Sequence, residues 1–139
     1  MKKWKLCLVR QQGLIPDLIC WFTGSDWNHV AIQMSNGDFL DLDRPGLRTI
    51  DRSSYLSVNK VLITDCFIFE KVAKDRMKRL QSMTYGDLDN VAYVLYNLLG
   101  LRLGVKSHKS CNCVSFCLRL LGMHPKHANY LAPKDLQTL

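Results

Sequence analysis

No stretch of this sequence stays apolar long enough to cross a bilayer. The longest, Val91 to Leu101, carries only Asn97 as a polar interruption, whereas a hydrocarbon core of about 30 Å takes roughly 20 apolar residues. It reads as a buried helix, and no transmembrane segment is expected. A secretory signal is also missing. Met1-Lys2-Lys3 begins like one, but Lys5, Arg10 and Asp17 break the apolar stretch that should follow, and there is no small-residue cleavage site. The expected location is therefore cytoplasmic at synthesis. Repeats, low-complexity tracts and linkers are absent too, so residues 1–139 are expected to form one domain with a single core. Acidic residues are scarce, 12 against 19 lysines and arginines. The resulting +7 favours an anionic partner such as a cell-wall polymer, a phospholipid surface or nucleic acid, without choosing among them. It predicts no specific nucleic-acid partner. With 47% apolar and 22% charged residues the chain has an ordinary globular composition, which excludes a mainly disordered protein.

Periodicity supplies the elements. Lys5 to Val9 reads as a strand, and Pro16-Asp17 opens a short apolar helix, Leu18 to Phe22, stopped near Gly24. His29 to Met34 and Phe39 to Asp43 are strand-like runs joined by Ser35-Asn36-Gly37-Asp38, and Asn-Gly between such runs signals a hairpin. With a four-residue turn, Met34 pairs roughly with Phe39, so His29 and Asp41 become near neighbours. Pro45-Gly46 marks a turn, and Lys60 to Phe69 is rich in β-branched and aromatic residues and reads as a strand. Val72, Arg76, Leu80 and Met83 recur at helical spacing among Lys71, Lys74, Lys78 and Arg79. Further helices are expected at Asp87 to Leu99 and at Cys113 to Leu121, the latter ended by Gly122, with a short one from Lys134 to Leu139 after Pro133.

Six cysteines are many for this length, and Cys111, Cys113 and Cys117 fall within seven residues. In a cytoplasmic chain such residues fill cores, bind metal or do chemistry more often than they form bridges. Cys113 opens a helix, where the positive end of the helix dipole favours thiolate. A thiolate nucleophile needs a base that titrates near neutrality. Of His29, His108, His124 and His127, only His29 begins a strand that would hold its ring rigidly, and Asp41 lies one hairpin away, where a carboxylate fixes the imidazole tautomer.

The run Asn112-Cys113-Val114-Ser115-Phe116-Cys117 resembles the nucleophile motif of NlpC-type hydrolases and of lecithin–retinol acyltransferase-like enzymes, in which an acidic or amide residue precedes the cysteine and an aromatic follows three places later. In the circularly permuted branch, which includes YiiX-like proteins, the histidine comes first, in a strand that begins Ser/Asn-His-Val. Trp27-Asn28-His29-Val30-Ala31-Ile32 is similar to that pattern, and the third polar residue in the next strand corresponds to Asp41, where relatives often carry Glu, Gln or His. Tyr85 and Pro133 to Leu136 also resemble the permuted branch. The resemblance implies an α+β, permuted papain-like fold, with an antiparallel sheet packed against the helix that carries the nucleophile. It also implies a hydrolase or acyltransferase, a peptidase or amidase among them, acting on peptide, peptidoglycan or lipid acyl bonds with no metal or cofactor. Without an export signal, a cell-wall substrate requires another delivery route, such as phage lysis or a virion.

Other readings compete. Cysteine is among the most buried residue types, so Cys113 taken alone reads as a core residue before a nucleophile, and it is the pairing with the His29 block that reverses this. Asp41 alone reads as a solvent-facing strand residue. Cys111, Cys113, Cys117, His124 and His127 offer five zinc ligands, although Cys-x-Cys and His-x₂-His are not the usual spacings. Cys111 is also a second sulfur beside the nucleophile. A non-catalytic binding module of the same fold, touching an anionic surface through Lys71 to Arg79, is the remaining alternative.

Overall fold

Alternation in the first strand decides the layering of the molecule. In a computed structural model that describes residues 1–43, 46–81, 84–85, 110–123 and 133–137, β1 (Lys3–Arg10) sends Trp4, Leu6 and Leu8 into one apolar cluster and Cys7 and Val9 into another. A strand buried on both faces belongs inside a sheet. β1 lies between β2 (His29–Gln33) and β5 (Lys60–Phe69), and β3 (Phe39–Asp43) and β4 (Gly46–Ile50) extend the sheet in the order β4-β3-β2-β1-β5, with every pairing antiparallel. Four α-helices lie among the described residues: α1 (Leu14–Thr23), α2 (Arg52–Val58), α3 (Glu70–Leu80) and α4 (Cys113–Leu121). A short parallel pair, β6 (Thr84–Tyr85) with β7 (Ser110–Cys111), leads into α4. The chain is thus α+β, with a five-stranded antiparallel sheet.

The larger cluster joins the sheet to α3 and α4. Leu6, Leu8, Val30, Ile32, Leu40 and Leu42 meet Ala73 of α3 and Val114, Phe116, Leu118 and Leu120 of α4. Each fully buried Leu or Phe in that set contributes about 1.5–3 kcal/mol of transfer free energy. On the other side, Tyr55 of α2 stacks on Phe39 with ring centroids 4.4 Å apart, beside Cys7, Val9 and Ala31. α4 ends as its sequence requires. Gly122 has φ 80°, and a Cβ there would stand 2.5 Å from Arg76 Nη1, which donates to the Leu120 carbonyl at 2.9 Å and ties α4 to α3.

Several expectations need correction. The first helix starts at Leu14, before Pro16, because the first four N–H groups of a helix have no intrahelical acceptor and proline there forfeits nothing. The hairpin is one residue tighter than a four-residue turn. Met34 N–H donates to the Asp38 carbonyl at 2.8 Å and Gly37 takes φ 97°, so Gln33, not Met34, pairs with Phe39. The helix of basic residues stops at Leu80, and the last described element is a single 3₁₀ turn, Pro133–Leu136, where a helix from Lys134 was expected; residues 138–139 lie outside the described residues. Neither β4 nor α2 was expected. The Asp87 to Leu99 helix lies outside the described residues, as do His108, His124 and His127.

Candidate active site

β2 begins with a buried histidine because the residue before it is clamped. Asn28 accepts from Gln11 N–H at 2.8 Å, and its amide donates to the carbonyls of Gln11 at 3.0 Å and Pro16 at 3.2 Å. This one carboxamide fastens the end of β1 and the start of α1 to the entrance of β2. His29 follows, 3% exposed.

Strand register brings the carboxylate to the ring. Ile32 pairs with Leu40, so one step further along the same register Ala31 faces Asp41, and His29 reaches Asp41 on the diagonal. His29 Nε2 is hydrogen-bonded to Asp41 Oδ1. Asp41 is fully buried, which removes the solvent-facing reading of it. Its other oxygen, Oδ2, accepts from Arg48 Nη2 at 3.3 Å, and Arg48 stands directly opposite Asp41 in the β3–β4 ladder. The same nitrogen lies 3.5 Å from Asp43 Oδ2, which also accepts from Gln11 Nε2 at 3.0 Å. The sequence reading passed over Arg48 and Gln11. The one local signal that could have pointed to Arg48 is the Pro45-Gly46 turn, since a strand following such a turn can pair back onto Phe39 to Asp43.

Cys113 is the first residue of α4 and 9% exposed. Asn112 caps the helix. Its Oδ1 accepts from Ser115 N–H at 2.8 Å, and its carbonyl accepts from Phe116 N–H at 3.0 Å. The N–H groups of Cys113 and Val114 have no acceptor within the helix, so two donors and the positive helix end lie beside the sulfur. The electrostatics tie Cys113 to His29. Burial pulls the imidazole pKa down, but the charge of Cys113, the charge of Asp41 and hydrogen bonding to both raise it well above its ordinary value. Asp41 shows the reciprocal effect: burial raises it, and His29 and Arg48 outweigh burial and lower it. With Nε2 committed to Asp41, Nδ1 is the nitrogen available to the thiol.

The three residues singled out from sequence therefore form one buried constellation, drawn from β2, β3 and α4. Its surroundings hold Tyr55, whose phenol is pushed far up by burial and next by the Asp41 charge, and so stays neutral. The remaining thiols differ. Cys7 is pushed up to about 12 by burial, and Cys20 and Cys66 are raised for the same reason. Of the five zinc-ligand candidates, only Cys113 and Cys117 have described side chains, and both belong to the α4 core cluster. His29, Asp41 and Asp43 do bring donor atoms within 4.8 Å of one another, but the Arg48 guanidinium already supplies the positive charge that a cation would bring. No family model matches the chain, and no curated protein matches it.

Proposed function

We propose that the protein is a cysteine hydrolase or acyltransferase of the permuted papain-like, NlpC-type kind, with Cys113 as nucleophile, His29 as base and Asp41 as the residue that orients the imidazole. The observation that carries this reading is the electrostatic coupling of a helix-opening cysteine to a histidine already fixed by a fully buried aspartate. Burying three ionisable groups against one another costs free energy that an apolar core would avoid, and perturbed clusters of this type concentrate at sites of chemistry. The chain order agrees with the permuted arrangement, since the histidine strand precedes the cysteine helix.

The chemistry is acyl transfer. The Cys113 thiolate attacks the carbonyl carbon of an amide, ester or thioester, and the resulting oxyanion accepts hydrogen bonds from the N–H groups of Cys113 and Val114. Collapse of the tetrahedral species expels the leaving group, which takes the proton from His29, and leaves a thioester on Cys113. His29, now neutral, removes a proton from water or from an acceptor alcohol or amine. That nucleophile attacks the thioester, and the thiolate departs. Peptide, peptidoglycan or lipid acyl groups are the substrate classes, and a phage or virion setting accounts for a cell-wall target.

A panel of peptide amides, peptidoglycan fragments and lipid esters tests the proposal. Turnover of one class is expected, lost in both Cys113→Ala and His29→Ala while each variant keeps a cooperative melt. Turnover that survives Cys113→Ala rules the mechanism out, and unfolding of that variant alone returns Cys113 to a core role.

A further inference from the structure

Arg48 takes no part in the acyl-transfer steps above, yet its Nη2 donates to Asp41 Oδ2, the carboxylate oxygen turned away from His29, at 3.3 Å. We propose that Arg48 is a positioning residue of this site: its guanidinium, braced between Asp41 and Asp43, holds the Asp41 carboxylate ionised with Oδ1 turned to His29 Nε2. The proposal rests on the triad reading of Cys113, His29 and Asp41.

The need for Arg48 follows from the reaction cycle. Asp41 is fully buried, and a carboxylate in that setting takes up a proton unless a cation faces it. His29 is such a cation only while it is protonated. Once it has given its proton to the leaving group, the imidazole is neutral, and Asp41 would stand in the interior with no opposing charge. A guanidinium does not titrate in this range, so Arg48 supplies a positive partner at every stage.

Geometry favours arginine over a simple charge. Nη2 lies 3.3 Å from Asp41 Oδ2 and 3.5 Å from Asp43 Oδ2, so one planar group spans two carboxylates of the same strand. Asp43 is itself held by the Gln11 side chain, and the Gln11 main chain is held by Asn28, the residue before His29. The contacts thus form a closed ring, Asn28, His29, Asp41, Arg48, Asp43 and Gln11, whose members come from both sides of the hairpin. An exposed ion pair is ordinarily worth little. This one differs because one partner is fully buried, although Arg48 itself is 44% exposed. The charged and titratable groups facing the pair are His29 from β2, Cys113 from α4, Asp43 from β3 and Tyr55 from α2.

Two readouts on the full-length chain test this, and only one of them needs a reactive Cys113. The ring N–H signals of His29 are followed by ¹⁵N-edited NMR across pH, and the alkylation rate of Cys113 is measured over the same range. Arg48→Met and Arg48→Gln both remove the charge, so either one that folds decides the matter. The expected result is an acid limb displaced upward by about one pH unit, a tenfold slower alkylation at fixed pH on that limb. The His29 Nε2–H signal should be lost at a pH where the parent retains it, and Arg48→Lys should restore part of both. An unchanged His29 signal and an unchanged acid limb in a folded Met or Gln variant would overturn the proposal and leave Arg48 as a surface ion pair. Failure of the triad reading looks different: Asp41→Asn would leave the His29 signal untouched, or Cys113 would alkylate no faster than the other thiols.

Discussion

Replacing Asp41 by Asn removes one charge from the buried constellation while keeping its shape, and the consequence for stability depends on pH with a definite sign. In the parent, His29 is raised above its unfolded value, chiefly by Cys113 and Asp41 acting against burial. A group raised on folding contributes stability that is fully present below its unfolded pKa, about 6.5, and is lost as pH rises through its folded value. Asp41 is lowered on folding, so its contribution is present above about 3.9 and lost as pH falls through the folded value. The interaction that Asp41→Asn deletes is therefore strongest between about pH 4 and pH 6.5 and fades at alkaline pH. Losing one partner of a buried charged pair costs about 3–5 kcal/mol when the other charge is stranded. Here His29 can shed its proton and the amide can still accept from Nε2–H, so a loss of about 1–3 kcal/mol at pH 6 is expected. At roughly 4 °C per kcal/mol for a chain of this size, the melting temperature should fall by about 4–12 °C at pH 6 and by much less at pH 9. Calorimetry of both proteins at half-unit intervals from pH 5 to 9 measures the gap. A gap that stays constant, or that widens toward pH 9, would refute the charge pairing.

Limiting iodoacetamide at pH 6.5 with peptide mapping should label Cys113 before Cys7, Cys20, Cys66 or Cys117. Cys7, pushed up to about 12, should be the most inert of these, since alkylation follows the thiolate fraction and access. His29→Ala should slow Cys113 labelling strongly and Asp41→Asn less so, because an amide still orients the ring; equal labelling of all the thiols would favour the non-catalytic binding module. Preferential labelling of Cys111 would identify the other sulfur as the reactive one.

The blocks around His29 and Cys113 were legible because each rests on local rules. Asn-Gly between two alternating runs sets the hairpin that joins His29 to Asp41, and Asn112 before Cys113 with Gly122 after Leu121 sets both ends of α4. Arg48 and Gln11 were hidden because their roles come from long-range register and not from spacing. Arg48 matters only once β4 pairs with β3, and Gln11 only once Asn28 pins the end of β1 to the start of β2. The helix start at Leu14 was misplaced for a local reason: Pro16-Asp17 looks like a first turn, and Gly13, with φ 132°, is the residue that breaks the preceding extended run. α2 carries a readable cap, Asp51 accepting from Ser54 N–H at 3.0 Å, but its seven residues are too short and too polar for a periodic signal.

Asn112 offers the test that separates structure from electrostatics at the sulfur. Its Oδ1 satisfies Ser115 N–H at 2.8 Å and the residue is 4% exposed, so Asn112→Ala forfeits the cap and should cost about 1–2 kcal/mol. Serine and aspartate are equally good caps, and aspartate also gains from the helix dipole. On stability alone, Asn112→Ser should melt close to the parent and Asn112→Asp somewhat below it, because a carboxylate at this buried position loses hydration that the cap and the dipole only partly replace. Reactivity should divide them. A carboxylate at position 112 sets a fixed negative charge beside the atom that must hold negative charge, whereas a hydroxyl adds none. Asn112→Asp should therefore alkylate at Cys113 about tenfold more slowly at pH 6.5, because a neighbouring negative charge opposes the thiolate, while Asn112→Ser keeps the parent rate. The difference should shrink in 1 M salt to the extent that solvent reaches the new carboxylate. If Asn112→Asp and Asn112→Ser label equally fast, the sulfur does not carry the charge that nucleophilic attack requires, and α4 begins with a cysteine for packing alone.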